Sequence, residues 1–294
     1  MSAPAHALLL DRGGLRRRRR FNRLVEAAAT AAALLAVAVL LIVVGSVLVK
    51  GAGALSLHFL TTPMALFGEP GGGISNAIAG SAIMVALAAA MAIPVGLLVA
   101  IYTTEFAPRR FGHAVGFALD VLNGVPTIVT GIFVFGLLVA GRQQSGFAAS
   151  VALAIVMLPI VARTGQEVLA LVPGTLKEAA HALGIARWRT TLRVTVPTAA
   201  GGLITGALLA VARVAGETAP LILLSSIFGQ GVLTDPRQAL ASIPIFIFRS
   251  SEAPSPEAHT QAWAAALVLI AVVLVLNVIA RVLYARSRSK MGAR

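Results

Sequence analysis

Four ionisable residues stand inside long apolar runs: Arg163 and Glu167 in LPIVARTGQEVLA, and Arg213 and Glu217 in ARVAGETAPLILL. On insertion scales an arginine at mid-bilayer costs ~2.5–3.5 kcal/mol, so such residues face a protein interior or a water-filled cavity. Each acid follows its arginine by one helical turn, which places both on one helix face, although the stronger intrahelical pair has the acid first. Two arginines in two different runs are more than one helix needs for its own neutrality. A guanidinium offers a planar fork of donors suited to phosphate-like oxygens, so the pattern fits a shared path for an anion. Ion pairing between spans accounts for the same residues. Nearby, LDVLNGVPTIVTG carries Asp120, Asn123 and Pro126, which read as a cap at the membrane edge and a helix kink, with a pathway role as the rarer alternative.

Other chemistries lack their residues. No G-x-x-x-x-G-K-[ST] occurs and none of the three lysines follows a glycine, so nucleotide phosphates have no P-loop cradle. H-E-x-x-H and G-x-S-x-G are absent. There is no cysteine, and the five histidines are scattered without metal-ligand spacing, so no metal site is expected. The chain reads as a non-enzyme. If ATP drives it, hydrolysis belongs to another polypeptide.

The elements that must carry these residues follow from composition. Of 294 residues, 58% are hydrophobic and 12% charged, far from soluble usage, which marks an integral membrane protein. Crossing the hydrocarbon core takes ~20 residues, and six apolar runs suffice, at about 25–49, 76–104, 115–140, 147–171, 196–227 and 262–284. The first is too long for a secretory h-region and reads as a retained anchor. The net charge of +13 and the run Arg16 to Arg20 raise nucleic-acid binding, but the distribution decides otherwise. Eighteen of the 24 lysines and arginines fall on one side of a six-span topology and four on the other, which places both termini in the cytoplasm. The organisation is a basic segment 1–24, one membrane domain 25–284 and a basic tail 285–294.

Two loops exceed simple turns. The outer loop 228–261 holds Gly229, Gly231, Pro236, Pro244, Pro254 and Pro256 around IPIFIF, which is too short to cross and lies at the interface or folds back. Before the second span, GEPGGGISNAI reads as a flexible turn, with an amide cradle for an anion as the rarer alternative. The inner loop 173–197 predicts a helix of about ten residues, with Thr175 and Glu178 spaced as a capping box and Gly184 as a left-handed stop. Leu176, Ala179, Ala180 and Leu183 form one small apolar face, which either packs on the membrane domain or docks a partner.

The sequence of that inner loop carries a resemblance. Glu178, Ala179 and Ala180, then Gly184 six residues after the glutamate, then Val194, Val196 and Pro197, resemble the cytoplasmic EAA loop of ATP-binding-cassette importer permeases, with valine for the usual isoleucine and leucine near its end. TPMALFGEPGGGISNAIAGS, AIPVGLLVAIYTTEFAP, LDVLNGVPTIVTGIF, LPIVARTGQEVLALVPGTLKEAAHALG and ARVAGETAPLILL resemble, in this order, the phosphate-specific permeases of the PstA type. These blocks cover most of the chain from about residue 61 to 225, while the first span and the outer loop match in general character only.

The resemblance implies an all-α, polytopic type I importer permease of MetI-like fold in a bacterial-type cytoplasmic (inner) membrane. It implies a companion permease forming a heterodimer, separate ATPase subunits that carry ATP and Mg, and an external phosphate-binding protein, with no cofactor in this chain and no nucleic acid. It implies that Glu178, Ala179, Ala180 and Gly184 belong to the helix that couples to the ATPase, and that Arg163, Arg213 and Glu217 serve the substrate pathway. Sulfate or molybdate is the nearest alternative cargo. A stand-alone channel or secondary transporter would call for inverted repeats, and none is visible.

Overall fold

The structure, a computed structural model, describes residues 12–65, 71–226 and 231–292. Two compact units divide at Lys50 and Gly51. The first is essentially one helix, α1 (Arg12–Gly51), which contains the predicted span 25–49 and is long and apolar enough to cross a membrane. Residues 1–11 of the basic segment and 293–294 of the tail lie outside the described residues.

The second unit opens with α2 (Leu57–Thr61) and α3 (Ser75–Ile101), the latter running into a π-helical turn, Tyr102–Phe106. Then come α4 (Arg109–Gly124), α5 (Thr127–Val134) with a π-helical end to Val139, α6 (Gly146–Ala170) and α7 (Gly174–Ala182). Next, α8 (Arg187–Thr190) passes through a third π-helical turn, Thr191–Thr195, into α9 (Val196–Val214). Last are α10 (Ala219–Leu224), α11 (Ile243–Glu252) and α12 (Pro256–Gly292). No strand occurs among the described residues. Five helical stretches are long and apolar enough to span, and a sixth counts if α4 and α5 together make one.

Two spans differ from their sequence reading. The predicted span 115–140 is broken, because α4 and α5 meet at 94°. Val125 takes extended angles (φ −69°, ψ 128°) because a following proline ring disfavours helical geometry, and α5 starts directly after Pro126. The predicted span 196–227 starts earlier, at Arg187, and stops at Val214. A helix running on would place Pro220 in its interior, against the carbonyl of Gly216 and without an N–H to donate. Instead α10 begins anew with Pro220 in its first turn, where a missing N–H is harmless.

The frame of the second unit is the contact between α3 and α6. Along α3, Asn76, Gly80, Met84, Ala88, Ala92, Gly96 and Ala100 are buried, one at every fourth position. Along α6, Ala149, Leu153, Met157, Val161, Gly165 and Leu169 are buried at the same spacing. Rows four residues apart form ridges that interdigitate, and small residues on them let helix backbones approach closely. A Cβ on Gly96 would stand 2.9 Å from the Cβ of Val161, and one on Gly165 would stand 2.7 Å from that of Ala100. These contacts advance together, so α3 and α6 are parallel. Gly202 against Val168 and Gly206 against Thr164 set α9 antiparallel to α6.

Where α3 and α6 begin, several backbone amides are satisfied by backbone carbonyls. Gly71 (φ +91°) and Gly72 (φ +79°) make the turn before α3. The amides of Gly73, Ile74 and Ser75 donate to the carbonyls of Pro63, Phe59 and Thr62 at 2.9, 2.8 and 3.1 Å, so these three are spent inside the protein, as a turn requires and an anion cradle does not. Gly68, Glu69 and Pro70 of the same run, and Gly229 of the outer loop, lie outside the described residues. The amides of Gly146 and Phe147, at the start of α6, donate to the carbonyls of Gln238 and Pro236 at 2.8 and 2.7 Å. The IPIFIF stretch opens α11, with the Ser242 hydroxyl accepting from the amide of Ile245 (3.4 Å). Its Ile243, Pro244, Ile245 and Phe246 are buried, and Phe246 lies edge-on to Phe59.

If the ridge contact holds the unit together, Gly96→Leu should destabilise the detergent-solubilised protein by roughly 1–3 kcal/mol through overpacking. Gly136→Leu, where an added Cβ meets nothing within 4 Å, should leave the thermal midpoint almost unchanged.

Candidate functional site

The break between α4 and α5 forms an elbow, and both intramembrane arginines face it. Arg163, on α6, turns away from Glu167 and grips Asp120 in the last turns of α4. Its Nε donates to Asp120 Oδ1 at 2.8 Å while its Nη2 donates to Oδ2, a side-on fork that engages both carboxylate oxygens. The remaining nitrogen, Nη1, donates to Gln166 Oε1 at 3.2 Å. The fork fits because Gly116 lies beneath it, where a Cβ would stand 3.3 Å from Nη1. Asp120 is therefore an interhelical partner and not a membrane-edge cap. The kink expected at Pro126 is present as the elbow itself.

Arg213 sits one residue before the end of α9 and lines a small cavity of about 50 Å³ with Asn123, Thr127 and Thr130 of the elbow. Glu217 is not on the same helix, because α9 has already ended. The break nevertheless returns its carboxylate to Arg213, Oε1 to Nη2 at 4.0 Å. Exposure separates the partners: the Arg213 side chain is 66% exposed and the Glu217 side chain 15%. The antiparallel register of α9 on α6 places Arg213 level with about residue 157, near the middle of α6. Arg163 then lies six residues nearer the end of α6 that leads to α7, on the order of 9 Å along the axis. The two guanidinium groups thus stand at successive depths beside one elbow, each with a carboxylate that can hold it.

The helix expected in the inner loop is α7. Gly184 takes φ +73° just beyond its end, as a left-handed stop requires. The capping box does not form: α7 begins at Gly174 after Pro173, so Thr175 is already inside the first turn and no side chain caps the end. The apolar face is divided. Ala180 is buried against the membrane domain, while Leu176, Ala179 and Leu183 remain exposed, as does Glu178. Lys177 fixes the orientation, its Nζ donating to Glu105 Oε1 at 2.6 Å, with the Glu105 side chain only 7% exposed.

Residues 92–291, which include the elbow, both arginines and α7, match the family of binding-protein-dependent transport system inner membrane components. The chain belongs to that family. The permease is 39% identical over 245 residues to the phosphate transport system permease protein PstA of Yersinia pestis, a match that covers 83% of each chain. It is 41% identical over 212 residues to PstA 1 of Mycobacterium tuberculosis H37Rv, covering 71% of this chain and 68% of that one. Among solved structures it resembles a bacterial ABC transporter for import of the acidic polysaccharide alginate, with a TM-score of 0.62 at 15% identity over 91% of this chain and 99% of the other. An inward-facing MetNI methionine ABC transporter gives 0.58 at 16% identity over 73% and 94%. The permease therefore has the all-helical ABC-importer permease fold in a multi-pass membrane protein, and belongs to a kind of transport system built from several subunits.

Sequence reasoning about the permease missed Asp120 as the partner of Arg163, and the Lys177–Glu105 pair. A lone acid in an apolar run signals the first, since it must be neutralised somewhere, but the partner lies 43 residues away. Glu105 in YTTEF reads from sequence as the polar end of a span.

Removing one member of a buried pair leaves the other charge uncompensated, at ~3–5 kcal/mol in the deep-burial limit. With Lys177 24% exposed, Lys177→Ala should cost less than that limit but clearly lower the thermal midpoint of the isolated protein. Adding Glu105→Gln should recover part of the loss, and a double-mutant cycle in detergent gives the coupling.

Proposed function

We propose that this chain is the membrane-spanning subunit of an ATP-driven importer that moves inorganic phosphate inward by alternating access. The observation that carries the reading is Arg213: a mid-depth arginine, two-thirds exposed, whose ion pair with Glu217 is stretched to 4.0 Å. Hydrocarbon is a poor environment for such a group. A companion permease packed against the elbow face would enclose it in an aqueous path, where its fork of donors meets oxyanion oxygens. In this reading Arg213 contacts the passing anion, and Glu217 neutralises it when the path is empty. Arg163 becomes available as Asp120 releases it. The phosphate assignment is supported by the PstA relatives and by that donor chemistry.

The exposed Leu176, Ala179 and Leu183 of α7, with Glu178 and Gly184 beside them, form the docking face for a separate ATPase subunit that carries ATP and Mg. An external phosphate-binding protein delivers the anion. The distribution of basic residues supports a topology in which both termini, α7 and the ends of α3 and α6 nearest it are cytoplasmic. Sulfate and molybdate are the competing cargoes, since arginine forks bind all tetrahedral oxyanions.

In vesicles holding the assembled complex, ATP-dependent uptake of labelled phosphate should persist under excess sulfate. Arg213→Ala should reduce it about tenfold or more, as losing a charge-assisted hydrogen bond of ~1.5–3 kcal/mol implies, without loss of assembly. Suppression by sulfate would move the cargo to the broader oxyanion class. Uptake unchanged by Arg213→Ala would return that residue to structural pairing.

A further inference from the structure

The π-helical turn Tyr102–Phe106, at the inner end of α3, is engaged by four different helices through four of its five side chains. Tyr102 packs edge-on against Phe111 of α4, ring centroids 5.8 Å apart. Thr103 Oγ1 accepts a hydrogen bond from Gln166 Nε2 of α6 at 2.7 Å, and its own hydrogen goes back to the Val99 carbonyl at 2.7 Å. Glu105 holds Lys177 of α7. Phe106 lies under the guanidinium of Arg187 on α8, at 5.6 Å. The turn closes with the amide of Ala107 donating to the Tyr102 carbonyl five residues back, at 2.8 Å.

Gln166 extends this cluster to the elbow. Its amide nitrogen is spent on Thr103 while its oxygen receives Arg163 Nη1, and Arg163 in turn grips Asp120. One polar chain therefore runs Asp120–Arg163–Gln166–Thr103, and two residues further along the same turn Glu105 meets α7. Energetic coupling travels through such packed, hydrogen-bonded elements when they have two discrete arrangements. A π turn is a site where helices commonly carry function, its wider ring being easier to re-register than an α turn.

We propose that the turn Tyr102–Phe106 is a coupling hub that transmits movement of α7 to Arg163, with Thr103, Glu105 and Gln166 as positioning residues. The inference rests on the proposed docking of α7 to an ATPase. When α7 shifts, Lys177 carries Glu105 with it, the turn rotates, and Thr103 draws on Gln166. Gln166 then loosens its hold on Arg163 and changes how firmly the arginine stays on Asp120. The hub thereby decides when Arg163 faces the path.

The test uses the assembled complex in vesicles, with Thr103→Val, which removes the hydroxyl that accepts from Gln166 and donates to the Val99 carbonyl, and Thr103→Ser, which keeps it. Two quantities are read: phosphate moved per ATP hydrolysed, and the ATP-driven signal of a fluorophore on Ala118→Cys. The label is specific because this chain has no cysteine, provided the companion subunits are cysteine-free. Thr103→Val should keep ATP hydrolysis within about twofold of wild type yet lower the transport ratio about tenfold and abolish the signal, with Thr103→Ser restoring both.

Wild-type ratio and signal in Thr103→Val, or hydrolysis and transport falling together with Thr103→Ser no better, would overturn the hub. Should Thr103→Val not assemble, the reversed pair decides: Glu105→Lys must restore what Lys177→Glu alone removes, and failure to do so overturns it. A wild-type complex that gives the Ala118 signal but moves no phosphate sinks the phosphate reading and leaves the hub standing.

Discussion

Lipid chains are as apolar as leucine, so apolarity alone gives transmembrane helices no reason to adhere, and close packing and hydrogen bonds must hold them. The ridge of small residues at every fourth position of α3, matched by the buried row of α6, meets that constraint. Everything of functional interest is measured from this contact. It sets Thr103 beside Gln166, points Arg163 at the elbow, and gives α9 a wall against which Arg213 reaches its depth. A bulkier residue on either ridge would displace the polar geometry along with the packing.

Three cations in this setting are each answered by a carboxylate that lies outside their own helix. Arg163 is answered by an acid on α4, Lys177 by one in the π-helical turn after α3, and Arg213 by one beyond the end of its own helix. The first two bonds are short. The third is long and open, and the contrast distinguishes a group held in place from one left able to accept another partner. Helix breaks shape the same region: the chain turns at Pro126 to form the elbow that Arg213 faces, and restarts a helix at Pro220 just beyond Glu217.

Sequence made the arginines legible, because each is a costly residue in an otherwise apolar run. It also made legible the all-helical class, the position of α7 with its glycine stop, and the kink at Pro126. What it hid depends on distance along the chain. Arg163 and Glu167 have the right spacing to pair, yet a carboxylate 43 residues earlier offers a bidentate fork and prevails. Arg213 and Glu217 look like neighbours on one helix, but Pro220 ends that helix first. The capping box had the right letters two positions too late, since the cap position is Pro173 and α7 already begins at Gly174. The hub is illegible for a further reason: YTTEF has no pattern that separates a π turn from an ordinary span end, and only its four neighbours give it meaning.

The outer mouth of α6 is fastened by main-chain carbonyls of Pro236 and Gln238, and that of α3 by carbonyls of Phe59, Thr62 and Pro63. A main-chain oxygen is the same on every residue. The fastening at these oxygens therefore persists so long as the backbone path does. Where the start of α6 rests on Pro236 and Gln238, a change of either side chain leaves the acceptor in place, so this joint answers to the path of the chain rather than to its letters.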